Sequence, residues 1–219
     1  SVLSDVGLVP AYFMGINISK IWKNIYKYIS SNQILKESSI KLANILIQKK
    51  IPNLVFLNYS KNLEKFLFWA QQLIAESLGK KNQGFFPTVS TVPKDHHSLL
   101  QLYLDGPKDK LFIIFSIDEK PTKKLSINKF LNKKKFFINN KSLNQIKSAQ
   151  KNALIETLKK NKISFREFKL KKDNEETLGQ LFSYFILETI LIGKLTNINP
   201  FNQPAVEQVK VITKKHLLK

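Results

Sequence analysis

The 219-residue chain contains no cysteine, which excludes a disulfide framework, a thiolate zinc site and a cysteine nucleophile. Arginine is nearly missing too. Among 36 basic residues only Arg166 is not a lysine, so the chain lacks the guanidinium forks with which proteins read base edges. Its seven glycines are scattered, and neither a dinucleotide fingerprint nor a phosphate-cradling P-loop occurs. There is no G-x-S-x-G elbow and no His-x-x-x-His metal pair among the three histidines. The opening SVLSDVGLVPAYFMG lacks the basic n-region of a secretory signal. Internal repeats and Gly/Ser- or Pro-rich linkers are also lacking.

What is plentiful is lysine, giving a formal charge of +20. The lysines are spread along the whole chain, together with many Asn and Ile. The densest runs, Lys120 to Lys124 and Lys133 to Lys135, lack interleaved aromatics for base stacking. This pattern describes solvated surface, with weak, salt-sensitive attraction to polyanions and no specific nucleic-acid site. A hydrophobic fraction of 43% against 24% charged residues is ordinary for a soluble globular protein. The length suffices for one domain with a full core.

Short apolar runs alternate with helical patterns, which predicts an α/β fold, a three-layer sandwich whose mainly parallel sheet is flanked by helices. Leu54 to Tyr59 and Lys110 to Ile117 read as buried strands, and Ile163 to Leu170 as a strand nearer an edge. Helices are expected from Ser60, as N-cap, to about Ser77, and over Gln33–Lys49, Ser142–Lys160, Asn174–Leu195 and Pro204 to about Leu217. The Asn174–Leu195 stretch approaches a membrane span in length, but Gln180, Ser183, Glu188, Thr189 and Lys194 interrupt it. It is expected to be a helix buried in protein, with no membrane partner. Residues 1–219 are read as a single domain, with 118–140, rich in Lys and Asn, as a flexible insertion.

Three places could carry chemistry. Glu76 stands just before Gly79, where its helix should stop, and Gln72 lies one turn earlier on the same face. His96 and His97 head an apolar run closed by Gly106-Pro107, and imidazole titrates near neutral pH. The Pro-bounded loop Ile198 to Gln203 feeds a helix carrying Lys210, two turns in. Each alone has a bland reading as surface or cap. His216, among lysines, reads as plain surface.

In order and spacing these segments resemble the glucose-6-phosphate isomerase family, specifically the C-terminal half of its shorter bacterial form. The resemblance rests on SVLSDVGLVPAYFMGI (1–16), AESLGK (75–80), KDHHSLLQLYLDGPKDKLF (94–112), LGQLF (178–182) and INPFNQPAVEQVK (198–210). It implies a sugar-isomerase (SIS-type) domain and the interconversion of glucose 6-phosphate and fructose 6-phosphate, a step of glycolysis and gluconeogenesis. That reaction proceeds by ring opening and a cis-enediol, without metal or other cofactor. Carried over by position, Glu76 would be the base, His97 the ring-opening histidine lent across a homodimer, and Lys210 its assistant near the ring oxygen. Gln72 and Gln203 would line the sugar pocket, while His96 receives no catalytic role. The implied location is cytoplasmic.

Two departures stand out. Val92-Pro93 occupies a place where the family often has Gly-Thr. Ser1 aligns just after the family's Gly-Gly-Arg stretch, so the enediolate-steadying arginine and the Ser/Thr-rich phosphate site would precede it. As given, the chain is therefore expected to be an inactive fragment of an isomerase. The competing reading is a sugar-phosphate-binding regulator of the same fold without turnover.

Overall fold

The computed structural model describes residues 2–23, 25, 33–118, 123–124 and 137–218. The expected insertion over 118–140 lies mostly outside the described residues, as do most of the two lysine runs. The chain divides into two compact units. One comprises Ser1–Pro52, Phe68–Pro87 and Asn174–Lys219; the other comprises Asn53–Leu67 and Thr88–Asp173.

Four strands are described: β1 (Asn53–Asn58), β2 (Phe86–Thr91), β3 (Lys110–Ile117) and β4 (Phe165–Leu170). They form one parallel sheet in the order β2-β1-β3-β4, flanked by helices, so the expected α/β class holds. Leu54 stands opposite Leu111, and Phe112 opposite Phe165. The central strands NLVFLN and KLFIIFSI read as almost unbroken apolar runs because both of their faces are buried. Val55, Leu57, Tyr59, Phe112 and Ile114 cluster with Tyr103, Leu154 and Leu158 on one face. On the other, Phe56 and Phe66 meet Phe115 edge to face at 6.0 and 6.2 Å.

β4 (FREFKL) is an edge strand, as expected, and its side chains are only partly covered. The lone Arg166 lies 5.0 Å from the Phe168 ring, a cation–π contact within the fold. β2 occupies the other edge and is absent from the expectations above. Its sequence FPTVST contains Pro87, which lacks a donor and is tolerated where one side of the strand is unpaired.

The described helices are α1 (Asp5–Phe13), α2 (Ile18–Trp22), α3 (Gln33–Gln48), α4 (Glu64–Leu78), α5 (Lys94–Asp105), α6 (Leu143–Lys160), α7 (Glu175–Leu195) and α8 (Pro204–Leu217). α6 opens on a full capping box between Ser142 and Gln145, and α7 on an Asn174 cap to the Thr177 amide. Ser60 does not cap α4. Its own amide donates to Asn58 Oδ1, and a 3₁₀ turn over Lys61–Leu63 leads into the helix.

Among the described residues α7 is the one helix long and apolar enough to cross a membrane. Half of that apolar stretch is nevertheless buried in protein. Its buried face includes Glu188, whose carboxylate accepts from Ser38 Oγ (2.7 Å) and Tyr184 Oη (3.0 Å). A buried carboxylate with two hydroxyl donors marks a helix packed on protein. Gly179, on the same helix, lies against α2 so closely that a Cβ there would stand 2.0 Å from the Ile21 carbonyl oxygen.

Candidate active site

The unit containing α4 and α7 holds the first candidate, at the two helix ends. α4 stops at Leu78, and the Gly79 amide closes the last turn on Ala75 O. A tight turn follows, with Lys80 and Gln83 exchanging backbone hydrogen bonds around Lys81 (φ 52°) and Asn82 (φ 57°). Gly84, at φ 131°, then passes so close to Gly79 that a Cβ would sit 2.7 Å from the Gly79 Cα. Only glycine fits that crossing.

α7 ends in a Schellman motif. Asn197 is left-handed (φ 56°), and the Ile198 amide reaches back to Gly193 O at 2.8 Å. Two lysines fasten the turn after α4 to this terminus. Lys80 Nζ donates to Ser77 O (2.9 Å) and Asn199 O (2.6 Å), and Lys81 Nζ donates to Asn197 O (3.2 Å). Burial pushes the Lys80 ammonium below the ordinary lysine pKa. The loop continues through an Asx turn, Phe201 N to Asn199 Oδ1, to Pro204, which occupies the first turn of α8 as expected.

Glu76 is the focus of this arrangement. Gln203 holds the N-cap position of α8, yet its side chain makes no cap bond. Its amide donates instead to Glu76 Oε2 at 2.8 Å. Gln72, one turn earlier on α4, donates to Glu76 Oε1 at 3.0 Å. Each carboxylate oxygen thus has its own amide donor, and the half-buried carboxylate has a fixed direction. It borders a cavity of about 720 Å³, with Gly79, Lys80, Asn199 and Val206, and a second of about 320 Å³, with Trp69, Thr189 and Phe201. Such a carboxylate can take a proton from a ligand bound in either space.

The structure thus joins three of the five expected site residues, Glu76, Gln72 and Gln203. Lys210 is exposed on α8 and pairs with Glu207 at 2.6 Å. His97 is exposed on α5, in the other unit. Its neighbour His96 is the more engaged of the two, with Nε2 2.9 Å from the Tyr59 hydroxyl. Burial lowers the His96 pKa and outweighs the opposing charge of Asp95. Asp95 itself accepts from the Thr91 amide (2.8 Å) and Ser90 Oγ (2.9 Å), which anchors the start of α5 to the end of β2. The Val92–Pro93 bond between them is cis. Tyr59 lies 37 positions from His96, so local spacing gave no sign of that pair.

Fold and site define an α/β protein with a parallel sheet and, at the meeting of two helix ends, a carboxylate held by two amides beside open cavities. No protein-family model matches the chain. It is 36% identical to the glucose-6-phosphate isomerase of Methanocaldococcus jannaschii over 97% of its length and 54% of that protein's. It is likewise 36% identical to the enzyme of the same name from Mycoplasmopsis pulmonis, over 96% of the chain and 51% of that protein. A crystal structure of a hypothetical protein from Thermus thermophilus superposes with a TM-score of 0.83 at 29% identity, covering 100% of the chain and 55% of that one. The chain belongs to the glucose-6-phosphate isomerase family, and it spans about half the length of the curated relatives it matches.

Proposed function

We propose that residues 1–219 form one sugar-isomerase-type domain, the C-terminal half of an enzyme interconverting glucose 6-phosphate and fructose 6-phosphate. In this reading Glu76 is the base that moves a proton between C2 and C1 of the open-chain sugar through a cis-enediol. The amide-held Glu76 carboxylate carries the proposal. A carbon acid is weak, so its base must be aimed before the substrate arrives, and two fixed donors supply that aim.

His97 opens the hexose ring, and its exposure on α5 suits a residue lent to a partner subunit's site in a homodimer. Lys210, freed from Glu207, assists at the ring oxygen. Gln72 and Gln203 face the sugar as well as the base. The enzyme works in the cytoplasm.

The test is Glu76→Gln in the full-length protein, followed by coupled assay of fructose 6-phosphate. Loss of about a thousandfold or more in kcat with substrate binding retained is the expected result for a general base. Turnover within a few-fold of the parent would refute the assignment.

A further inference from the structure

The unit containing the sheet holds a cavity that the isomerase reading does not use. The strand order places a topological switch between β1 and β3. From β1 the chain crosses to β2 on one side, and from β3 it crosses to β4 on the other. Loops diverge at such a point and leave a crevice at the carboxyl ends of the strands, where ligands bind in open α/β sheets. A cavity of about 350 Å³ lies there, bordered by Tyr59 after β1, Ser116 at the end of β3 and Lys169 on β4. α6 closes it with Asn144, Lys147 and Lys151, spaced on one helical face. Its size is in the range of small-ligand sites.

We infer that this crevice binds a small phosphate ester bearing hydroxyl groups. Three lysines line it, with Asp118 beside Lys169 and Glu167 bonded to Lys151. Lys151 is buried, and its Nζ donates to Ser116 Oγ (3.2 Å) and Glu167 Oε1 (2.8 Å). An ammonium has three hydrogens, so one donor beyond these two serves a ligand. Glu167 and Ser116 fix that ammonium in place. Lys169 pairs with Asp118 at 3.4 Å, with both side chains more than half exposed. Exposed pairs of this kind are weak, so Lys169 exchanges Asp118 for an incoming dianion. Asn152 offers an amide to a hydroxyl group. The inference stands on this cavity alone and is independent of the role of Glu76.

The test is lysine acylation of the full-length protein, read by peptide mass spectrometry, with a hexitol 6-phosphate, inorganic phosphate or the neutral hexitol added at equal ionic strength. The hexitol phosphate should protect Lys147 and Lys169 but not the exposed Lys41, inorganic phosphate should protect them more weakly, and the neutral hexitol should not protect them. Lys147→Gln and Lys169→Gln, on more accessible side chains than Lys151, should each raise the concentration needed for protection of the other by about tenfold. Equal acylation with and without the phosphate ester would overturn the inference. So would protection that extends evenly to Lys41, which marks diffuse screening.

Discussion

Gln203 Nε2 donates to Glu76 Oε2 across 2.8 Å, joining residues 127 positions apart in the sequence. The bond ties the residue just before α8 to the base. It converts a helix start into a brace. Gln203→Leu in the full-length protein should therefore lower kcat by about tenfold, the loss expected for one hydrogen bond to a charged group. KM should change less. Steady-state kinetics with fructose 6-phosphate decide it, because a residue that only lined the sugar pocket would raise KM and leave kcat intact.

Lys80 should act on the same site through the backbone. Its ammonium spans Ser77 O and Asn199 O, one on α4 and one on the loop that leads to Gln203. Lys80→Met removes both bonds while keeping the aliphatic stem. The expected result is amide exchange about tenfold faster at Phe201, whose N–H is held by Asn199 Oδ1. Unchanged exchange at Phe201 would show that the loop holds its place without the lysine.

The parts of this architecture that were legible in the sequence are those with local causes. The buried strands show as apolar runs, and α6 and α8 show through Ser142 and Pro204 at their starts. Glu76 and Gln72 share a face by helical spacing alone. Other features depend on distant partners and left no periodic trace. β2 contains a proline and only two large apolar residues, Phe86 and Val89, which do not alternate, and its place is set by pairing with β1. Ser60 reads as a cap, but its hydroxyl makes no cap bond, and a 3₁₀ turn over Lys61–Leu63 separates it from α4. The bonds from Ser38 to Glu188 and from Tyr59 to His96 join segments that spacing cannot relate.

Gly179 tests how tightly α7 is held. A methyl group there would stand 2.0 Å from Ile21 O and 2.8 Å from its carbonyl carbon. That neighbour is backbone and cannot swing aside. Gly179→Ala should cost about 2 kcal/mol or more through overpacking, despite the higher helix propensity of alanine. Urea unfolding should show a lower midpoint with an unchanged slope. A variant as stable as the parent would mean that α2 shifts freely away from α7.

His96 should make stability depend on pH. Burial holds its folded-state pKa below the ordinary value near 6.5, so the native ring stays neutral where the unfolded one takes up a proton. Burial also raises the Tyr59 phenol well above its usual value, keeping the O–H protonated. A neutral ring can accept that proton at Nε2, whereas a charged ring can only donate there. The contribution of His96 is therefore complete above about pH 6.5, declines as pH falls toward the depressed folded value, and is constant below it. His96→Asn removes this component. Unfolding free energies measured at about pH 7.5 and 5.5 should fall more steeply for the parent than for the variant. Parallel declines would mean that the Tyr59–His96 pair carries no proton linkage.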